Sequence, residues 1–289
     1  MSYRLVRHAT PSEFLGVAGE FLAADEALRG MVWGLAQLNA ANPDEHHGVA
    51  STWTLQRGAD KLVVGAFFWG PAKRSLTMTD MPDDAGAALV AGLSGVLAQG
   101  AKPRLPGFFG PAGSTALLAR ALEAQGGCRL LEMHNMLLYR CSRITRALDV
   151  AGQLRLATWD DTELVNRWAT NFGLETKMTK AGDPPMSMTP HLLARRVFLW
   201  EVDGRAVASA SWSRPTPRSA SIGFVYVPKG DRGKHYAAAV TGALTDHVID
   251  GLGKSFATLF TIAENMTTNH LYPSLGYGFV ASFRELQLA

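Results

Sequence analysis

Ile222-Gly223-Phe224-Val225-Tyr226-Val227, then Pro228-Lys229-Gly230-Asp231, then Arg232-Gly233-Lys234-His235-Tyr236-Ala237: this stretch decides the fold. Ser221 to Val227 reads as a strand, rich in apolar and β-branched residues. Pro228 to Asp231 breaks it, and Arg232 onward opens a helix running to about Gly251. A second strand, Phe256 to Ile262, comes next. A helix start offers unpaired N–H donors and a dipole that favours anions, so a strand, glycine loop and helix in this order suit a pyrophosphate. Gly230 and Gly233 flank Arg232, and Ala237-Ala238-Ala239 keeps the first turns narrow. Arg232 and Lys234 add charge for phosphate oxygens. Taken alone, Arg-Gly-Lys before a helix is an ordinary basic loop; the strand and helix around it give it weight.

Beyond the second strand, Asn265 is followed by Tyr272 seven residues later, Gly276 at eleven and Tyr277 at twelve. The whole order resembles the GNAT superfamily of acyl-CoA-dependent N-acyltransferases, whose signature is Arg/Gln-x-x-Gly-x-Gly/Ala at a strand-to-helix junction. The resemblance implies that backbone donors at Arg232, Gly233, Lys234, His235, Tyr236 and Ala237 hold the CoA pyrophosphate. It implies that Val225, Tyr226 and Val227 pair with pantetheine and supply the donor for the acyl carbonyl. Asn265 and Asn269 are placed beside the cofactor arm, and Tyr272 is the general acid for the departing thiolate. A phenol of ordinary pKa ~10 facing a thiol of ~8.5 is a plausible donor there. Each residue has a plainer role, Asn265 as a helix cap and Tyr272 as a core aromatic, but those roles do not account for the joint spacing.

Two features depart from the family pattern. His235 stands at the fourth signature position, where Gly is usual. If that position needs positive φ, His works against binding; if its side chain points outward, its backbone N–H still donates, and retained binding is the expectation. Ser219, Ser221 and Gly223 also offer no carboxylate on the strand where many members carry a basic Glu. Glu175 and Glu264 are the substitutes, both of a type more often found as surface acids, and a water chain is the alternative. Acceptor determinants are expected between Asn171 and Met188, a stretch holding Met178, Met186 and Met188. Trp200 and Trp212 read as core first.

The rest of the chain repeats this plan. Residues 1–142 read as a strand, helices, a three-strand meander, a helix, a strand, a helix and a strand. Cys141 to Gly152 looks like a linker, and residues 143–289 run through the same order. In the second half, Asp160-Asp161-Thr162-Glu163 is a capping-box arrangement and Thr189-Pro190 starts a short helix. The fold expected is α/β with a mixed sheet, as two fused GNAT-like domains. In the first domain the segment matching the signature is Asp80-Met81-Pro82-Asp83-Asp84-Ala85-Gly86, opening a helix from Asp83 to Gln99. Its acids would satisfy the helix dipole and repel a pyrophosphate, with only Lys73 and Arg74 basic upstream, so this half reads as structural or substrate-shaping.

Composition narrows the function. The charged residues balance over 1–142, and the whole net charge of +3 falls in 143–289, too little to argue for nucleic acid. No apolar run reaches the ~20 residues of a membrane span, and the N-terminus lacks a signal-peptide core. Cys128 and Cys141 are isolated, which suits a reducing cytoplasm. Asp44-Glu45-His46-His47 is a candidate metal cluster, but adjacent His residues do not readily share an ion, and no metal is expected. The reading is an N-acetyltransferase passing an acetyl group from acetyl-CoA to a small-molecule or peptide amine, as a monomer or homodimer. Its rivals are a non-catalytic acyl-CoA sensor and an aminoacyl-tRNA-dependent transferase of the same fold.

Overall fold

The computed structural model describes residues 2–43, 48–70, 75–98, 104–125, 130–145 and 149–288. Asp44 to His47, Lys73, Arg74 and Cys128 lie outside them. The first half contains β1 (Tyr3–His8), α1 (Pro11–Ala24), α2 (Glu26–Ala41), β2 (Ser51–Arg57), β3 (Leu62–Trp69), β4 (Leu76–Met78), α3 (Gly86–Gly92), α4 (Ser94–Leu97), β5 (Gly107–Pro111), α5 (Ala112–Ala124) and β6 (Leu130–Cys141). The second contains β7 (Gln153–Leu156), α6 (Thr162–Glu175), α7 (Thr189–Leu193), β8 (Val197–Val202), β9 (Arg205–Ser213), β10 (Ser219–Tyr226), α8 (Tyr236–Asp246), β11 (Phe256–Ile262), α9 (Met266–Ser274) and β12 (Gly278–Leu288). The internal repeat is therefore real at the level of element order.

Local chemistry sets several boundaries. Thr10 caps α1 by accepting from the Glu13 amide, with Pro11 in the first turn, and Asp25 caps α2 through the Leu28 amide. The capping box before α6 is formed by Thr158 and Asp161, not by Asp160 and Glu163 as the sequence suggests. Arg155 explains the choice: its guanidinium grips Asp161 at 2.7 and 2.9 Å and Glu201 at 2.5 Å, which fixes the Asp161 side chain over the helix entrance. The helix expected from Asp83 to Gln99 is two short pieces, α3 and α4, broken at Leu93. The helix that starts at Tyr236 is α-helical only to Asp246 and finishes as a π-turn from His247 to Gly251.

All twelve strands form one sheet in the order β1-β2-β3-β4-β5-β12-β6-β11-β10-β9-β8-β7. Read from either edge, each half lays down its five leading strands and then receives the last strand of the other half. β12 pairs antiparallel with β5 (Phe283↔Pro111 to Gln287↔Gly107) and β6 pairs antiparallel with β11 (Ala257↔Cys141 to Ile262↔Met136). The exchanged strands pair with each other from Gly278↔Arg140 to Leu288↔Leu130. Neither half thus closes its own sheet.

Helices cover both faces. In the second half, one face packs Ala220, Ile222, Ala257 and Leu259 beneath α8 and α9. The other packs Val197, Leu199, Phe224 and Tyr226 beneath α6 and α7. In the first half, Phe67, Leu76 and Phe108 are fully buried in one cluster, and Phe14, Ala18 and Ala66 in another. Each such large apolar side chain contributes about 1.5–3 kcal/mol on burial.

Helix α2 also reaches across to the second half. The buried Glu26 carboxylate accepts from Thr216 Oγ1 at 2.6 Å and from the Arg218 amide at 2.8 Å. A Cβ on Gly34 would sit 2.6 Å from the Arg214 carbonyl oxygen, so only glycine lets the helix lie this close to the β9–β10 turn. A chain cut between residues 142 and 143 should therefore give two fragments that fail to unfold cooperatively when expressed separately. Each loses a central strand, and thermal melts followed by circular dichroism should show one sharp transition for the intact chain and none for either fragment.

Candidate functional site

The site begins where two parallel strands part. β10 and β11 pair from Ser219↔Phe256 to Ile222↔Leu259, and there the ladder stops. β11 runs straight on, held by β6 as far as Ile262. β10 instead bulges: Gly223 is opposite Ser211 and Tyr226 opposite Ser209, so an extra residue is accommodated on β10, and Phe224 adopts φ +50°. A bulky residue in that region is strained, and packing supports it, since Phe224 meets Phe172 of α6 edge-to-face at 5.8 Å. The bulge turns the β11-facing backbone edge of Gly223 to Tyr226 away from its former partner. A slot with one row of strand amides and carbonyls on its wall is the result, and an extended amide-bearing chain can pair with it as an added strand.

The loop at the end of β10 leads into α8. A 3-10 turn, Lys229–Asp231, is braced from below by Arg205, whose guanidinium holds the buried Asp231 carboxylate at 2.8 and 2.7 Å. That partner keeps the Asp231 carboxyl below its ordinary range. In α8 the first intrahelical bond runs from the Ala239 amide to the His235 carbonyl at 3.0 Å, so the amides of Tyr236, Ala237 and Ala238 precede it. His235 makes no side-chain cap, and the first turn carries no acid. α1, α2 and α9 are capped by a side chain, whereas α3 to α7, like α8, are not. The left-handed turn expected to need glycine is present: Gly233 has φ +81° and His235 φ +62°. His235 adopts it with its side chain exposed, which leaves the backbone free to face an anion. His is among the residues that tolerate this region best.

Around the loop, three predicted residues meet. Glu175, the last residue of α6, accepts from Arg232 at 2.5 Å and from the Tyr226 hydroxyl at 3.4 Å. Arg232 also donates Nε to the Val227 carbonyl at 3.0 Å. Burial, and then the Glu175 charge, raise the Tyr226 pKa above its usual value. Glu175 therefore stands at the loop end of the slot. Lys234 lies 3.6 Å from Asp231 and over the Tyr236 ring. Val225 and Val227 flank the buried Tyr226 on the slot wall, each half-buried. Glu264, the other candidate base, is exposed in the turn before α9.

At the opposite end, α9 delivers Tyr272. It packs in the same cluster as Ile222 and Leu259, the last paired residues before the strands separate, and its ring meets Tyr277 at 6.0 Å. Burial raises its pKa well above the ordinary phenol value, so it is a neutral donor throughout the physiological range. Asn265 caps α9 through the Thr268 amide at 3.3 Å. Asn269 donates to the Ala263 carbonyl at 2.7 Å, fixing the end of β11, while its Oδ1 is buried without a partner in the protein. A buried acceptor of this kind is costly unless a ligand N–H reaches it.

The corresponding region of the first half is closed. β4 and β5 pair at Leu76↔Phe108 and Thr77↔Phe109, and a Cβ on Gly110 would collide with Met78, which fills the space where a slot would open. Asp80 is bound by Arg29 at 2.6 and 2.7 Å, and Asp84 accepts from the Tyr3 hydroxyl at 2.5 Å. Gly86, the first residue of α3, packs against α5 at the Leu117 carbonyl. In the sequence Asp231 reads only as part of the break after the strand, and Arg205 carries no signal of its own. An Arg after one turn and an acid in the loop before α8 give no pattern in one sequence; only the sheet brings them together. Among the described residues no group of three or more His, Cys, Asp or Glu could hold a metal ion, and no helix is long and apolar enough to cross a membrane.

Comparison with known proteins agrees with this geometry. Residues 162–277 match the model of the Acetyltransferase (GNAT) family. No curated protein matches the chain. Solved structures with the same fold include a GNAT-family acetyltransferase from Colwellia psychrerythraea, at 15% identity and TM-score 0.56, covering 100% of this chain and 99% of that one. A GCN5-related N-acetyltransferase from Sphaerobacter thermophilus matches at 16% identity and TM-score 0.57, covering 99% and 96%. A tandem GNAT protein from the clavulanic acid biosynthesis pathway matches at 12% identity and TM-score 0.56, covering 100% and 98%. At these identities the likeness is one of fold, and it extends over both halves.

Two outcomes follow from the site's backbone and burial. Replacing His235 with Gly should raise stability by about 0.5–1 kcal/mol, since relief of the left-handed conformation exceeds the added freedom of the unfolded chain. Urea unfolding of His235→Gly beside wild type checks this. Tyr272 and Tyr277 both have pKa values raised by burial from the ordinary 10.0. The unfolded chain then loses these protons first, so their stabilisation is complete below pH 10 and falls as pH rises towards their folded values. Stability should drop by about 1.4 kcal/mol per pH unit for each phenol, and Tyr272→Phe should remove one share of that slope.

Proposed function

We propose that this chain is an N-acetyltransferase passing acetyl from acetyl-CoA to a primary amine, a reading supported by the match of residues 162–277 to the Acetyltransferase (GNAT) family model. The single observation that carries the reading is the parting of β10 from β11 at Ile222↔Leu259, directly ahead of an uncapped α8. The amides of Gly233 to Ala237 are suited to the pyrophosphate, with Lys234 adding charge. Pantetheine lies along Val225 to Val227 in the slot, within reach of the unpartnered Asn269 Oδ1. Asn265 borders the mouth as the α9 cap.

In this arrangement the thioester carbonyl stands near the apex of the slot. The amine nitrogen attacks its carbon, a β10 amide steadies the developing oxyanion, and the C–S bond breaks in the same ternary complex. Tyr272 donates to the departing sulfur. Because its proton is held more tightly than a free phenol's, its contribution is a strong hydrogen bond to the thiolate, with full transfer coupled to proton loss from the amine. Glu175 is engaged with Arg232, so its carboxylate supports the reading as a brace for the loop, and solvent takes the amine proton.

Tyr272→Phe should lower kcat about 100-fold or more while leaving KM for acetyl-CoA within about twofold. Arg232→Glu, which sets two acids against each other beside the loop, should abolish acetyl-CoA binding in calorimetry. Wild type that binds acetyl-CoA but acetylates no amine in a broad panel would replace the enzyme reading with a sensor. Folded wild type that does not bind it would remove the acyl-CoA reading.

A further inference from the structure

With the pyrophosphate at the start of α8 and pantetheine along Val225 to Val227, the acyl end of the donor points down the slot towards the Ile222↔Leu259 pair. From that pair back to Ser219↔Phe256 the two strands are hydrogen-bonded to each other, so their backbones close the slot in the plane of the sheet. An acyl chain longer than acetyl therefore has to leave the apex over one face of the sheet or the other. The side chains on each face decide whether it can.

On the α9 face, Tyr272 packs in one cluster with Ile222 and Leu259, and all three are buried. On the α2 face, Phe260 is the first β11 residue past the last pair, and strand alternation puts its ring on the same side as Thr258. Phe260 and Thr258 line a small cavity with Ser221, roofed by Ala27, Gly30 and Met31 of α2. Its volume is about 10 Å³, room for a single water. Ser221 is already engaged, since its Oγ accepts from Arg214 at 2.7 Å. The Phe260 ring rests against Phe283 at 5.0 Å and Phe109 at 5.8 Å, and those two rings meet at 5.5 Å. Three rings in mutual contact hold one another in place. Phe109 belongs to β5 of the first half, and Phe283 to the exchanged strand β12.

We propose that Phe260 and Met31 set the acyl-chain limit of the donor site: they close the exit on the α2 face, so the apex takes acetyl and refuses butyryl and longer chains. The inference rests on the acyl-donor reading for the position of the apex. A water-sized space has no room for an added ethyl group unless the rings or α2 move, and overpacking a filled site of this kind is unfavourable. The floor is a second bar. Ser221 and Thr258 are hydroxyls, and an aliphatic chain laid over them would bury polar groups without replacing their contacts. The first half, whose own slot is closed, thus contributes to donor choice in the second through Phe109 and Met31.

The test is calorimetric titration of CoA and of acetyl-, propionyl-, butyryl- and hexanoyl-CoA into the intact protein, which requires no acceptor. An open apolar channel would tighten binding about fourfold for each added methylene. The closed apex gives the opposite sign: butyryl- and hexanoyl-CoA should bind at least about 10-fold more weakly than acetyl-CoA. Phe260→Ala and Met31→Ala each open the exit and should bring the ratio of acetyl- to butyryl-CoA affinity down to about one. Thermal melts beside wild type establish that the variants are folded, and Met31→Ala, at a half-buried helix position, carries the test if loss of the Phe260 ring unfolds the chain. Wild type that binds hexanoyl-CoA as tightly as acetyl-CoA, or a ratio unchanged in the folded variants, overturns the proposal and leaves the donor site standing. If neither CoA nor acetyl-CoA binds, the donor reading falls and the proposal falls with it.

Discussion

The antiparallel ladder between β6 and β12 is the constraint on which the rest of the molecule depends. It joins the final strand of one half to the final strand of the other, and each then completes a sheet that is not its own. A strand pair of this length is stabilised by main-chain bonds and by side chains on both faces, so the halves cannot drift as independent domains would. With the sheet fixed as one body, α2 can serve two masters: its apolar residues pack on the first half, while Glu26 and Gly34 engage the turn that carries Arg214.

The two halves share a plan and differ in what they do with one junction. In both, a strand runs parallel to its neighbour and gives way to a helix. In the first, Met78 fills the junction against Gly110, and Arg29 and Tyr3 occupy the acids ahead of the helix. In the second, the Phe224 bulge pulls the strand aside, and Arg205 pairs with the buried loop acid Asp231. A closed copy is free to specialise as scaffold.

Much of this was legible in the chain. The strand, loop and helix around Arg232, and the spacing from Asn265 to Tyr277, located the slot and its flanks because both are local patterns. The left-handed turn at His235 was posed as a question by one departure from glycine and answered by its φ. What could not be read were contacts between distant segments. Asp231 with Arg205, Glu175 with Arg232 and Glu26 with Arg218 are separated by 26, 57 and 192 residues. The exchange of β6 and β12 was hidden for a similar reason, since each strand's own pattern fits pairing within its half as well as outside it. The capping box uses Thr158 rather than Asp160 because Arg155 holds Asp161 over the helix entrance, a contact that propensity does not contain.

The exchanged strands also set a schedule for the chain's birth. β12 is the last strand of the sheet in chain order yet sits at its middle, between β5 and β6. During synthesis the first half leaves the ribosome with β5 and β6 lacking the strand that separates them, and it waits more than a hundred residues for that partner. Long-range pairings of this sort fold slowly, and unpaired strand edges attract other chains while they wait. Such a nascent chain is a natural client for chaperones that shield open sheet edges until the last strand arrives.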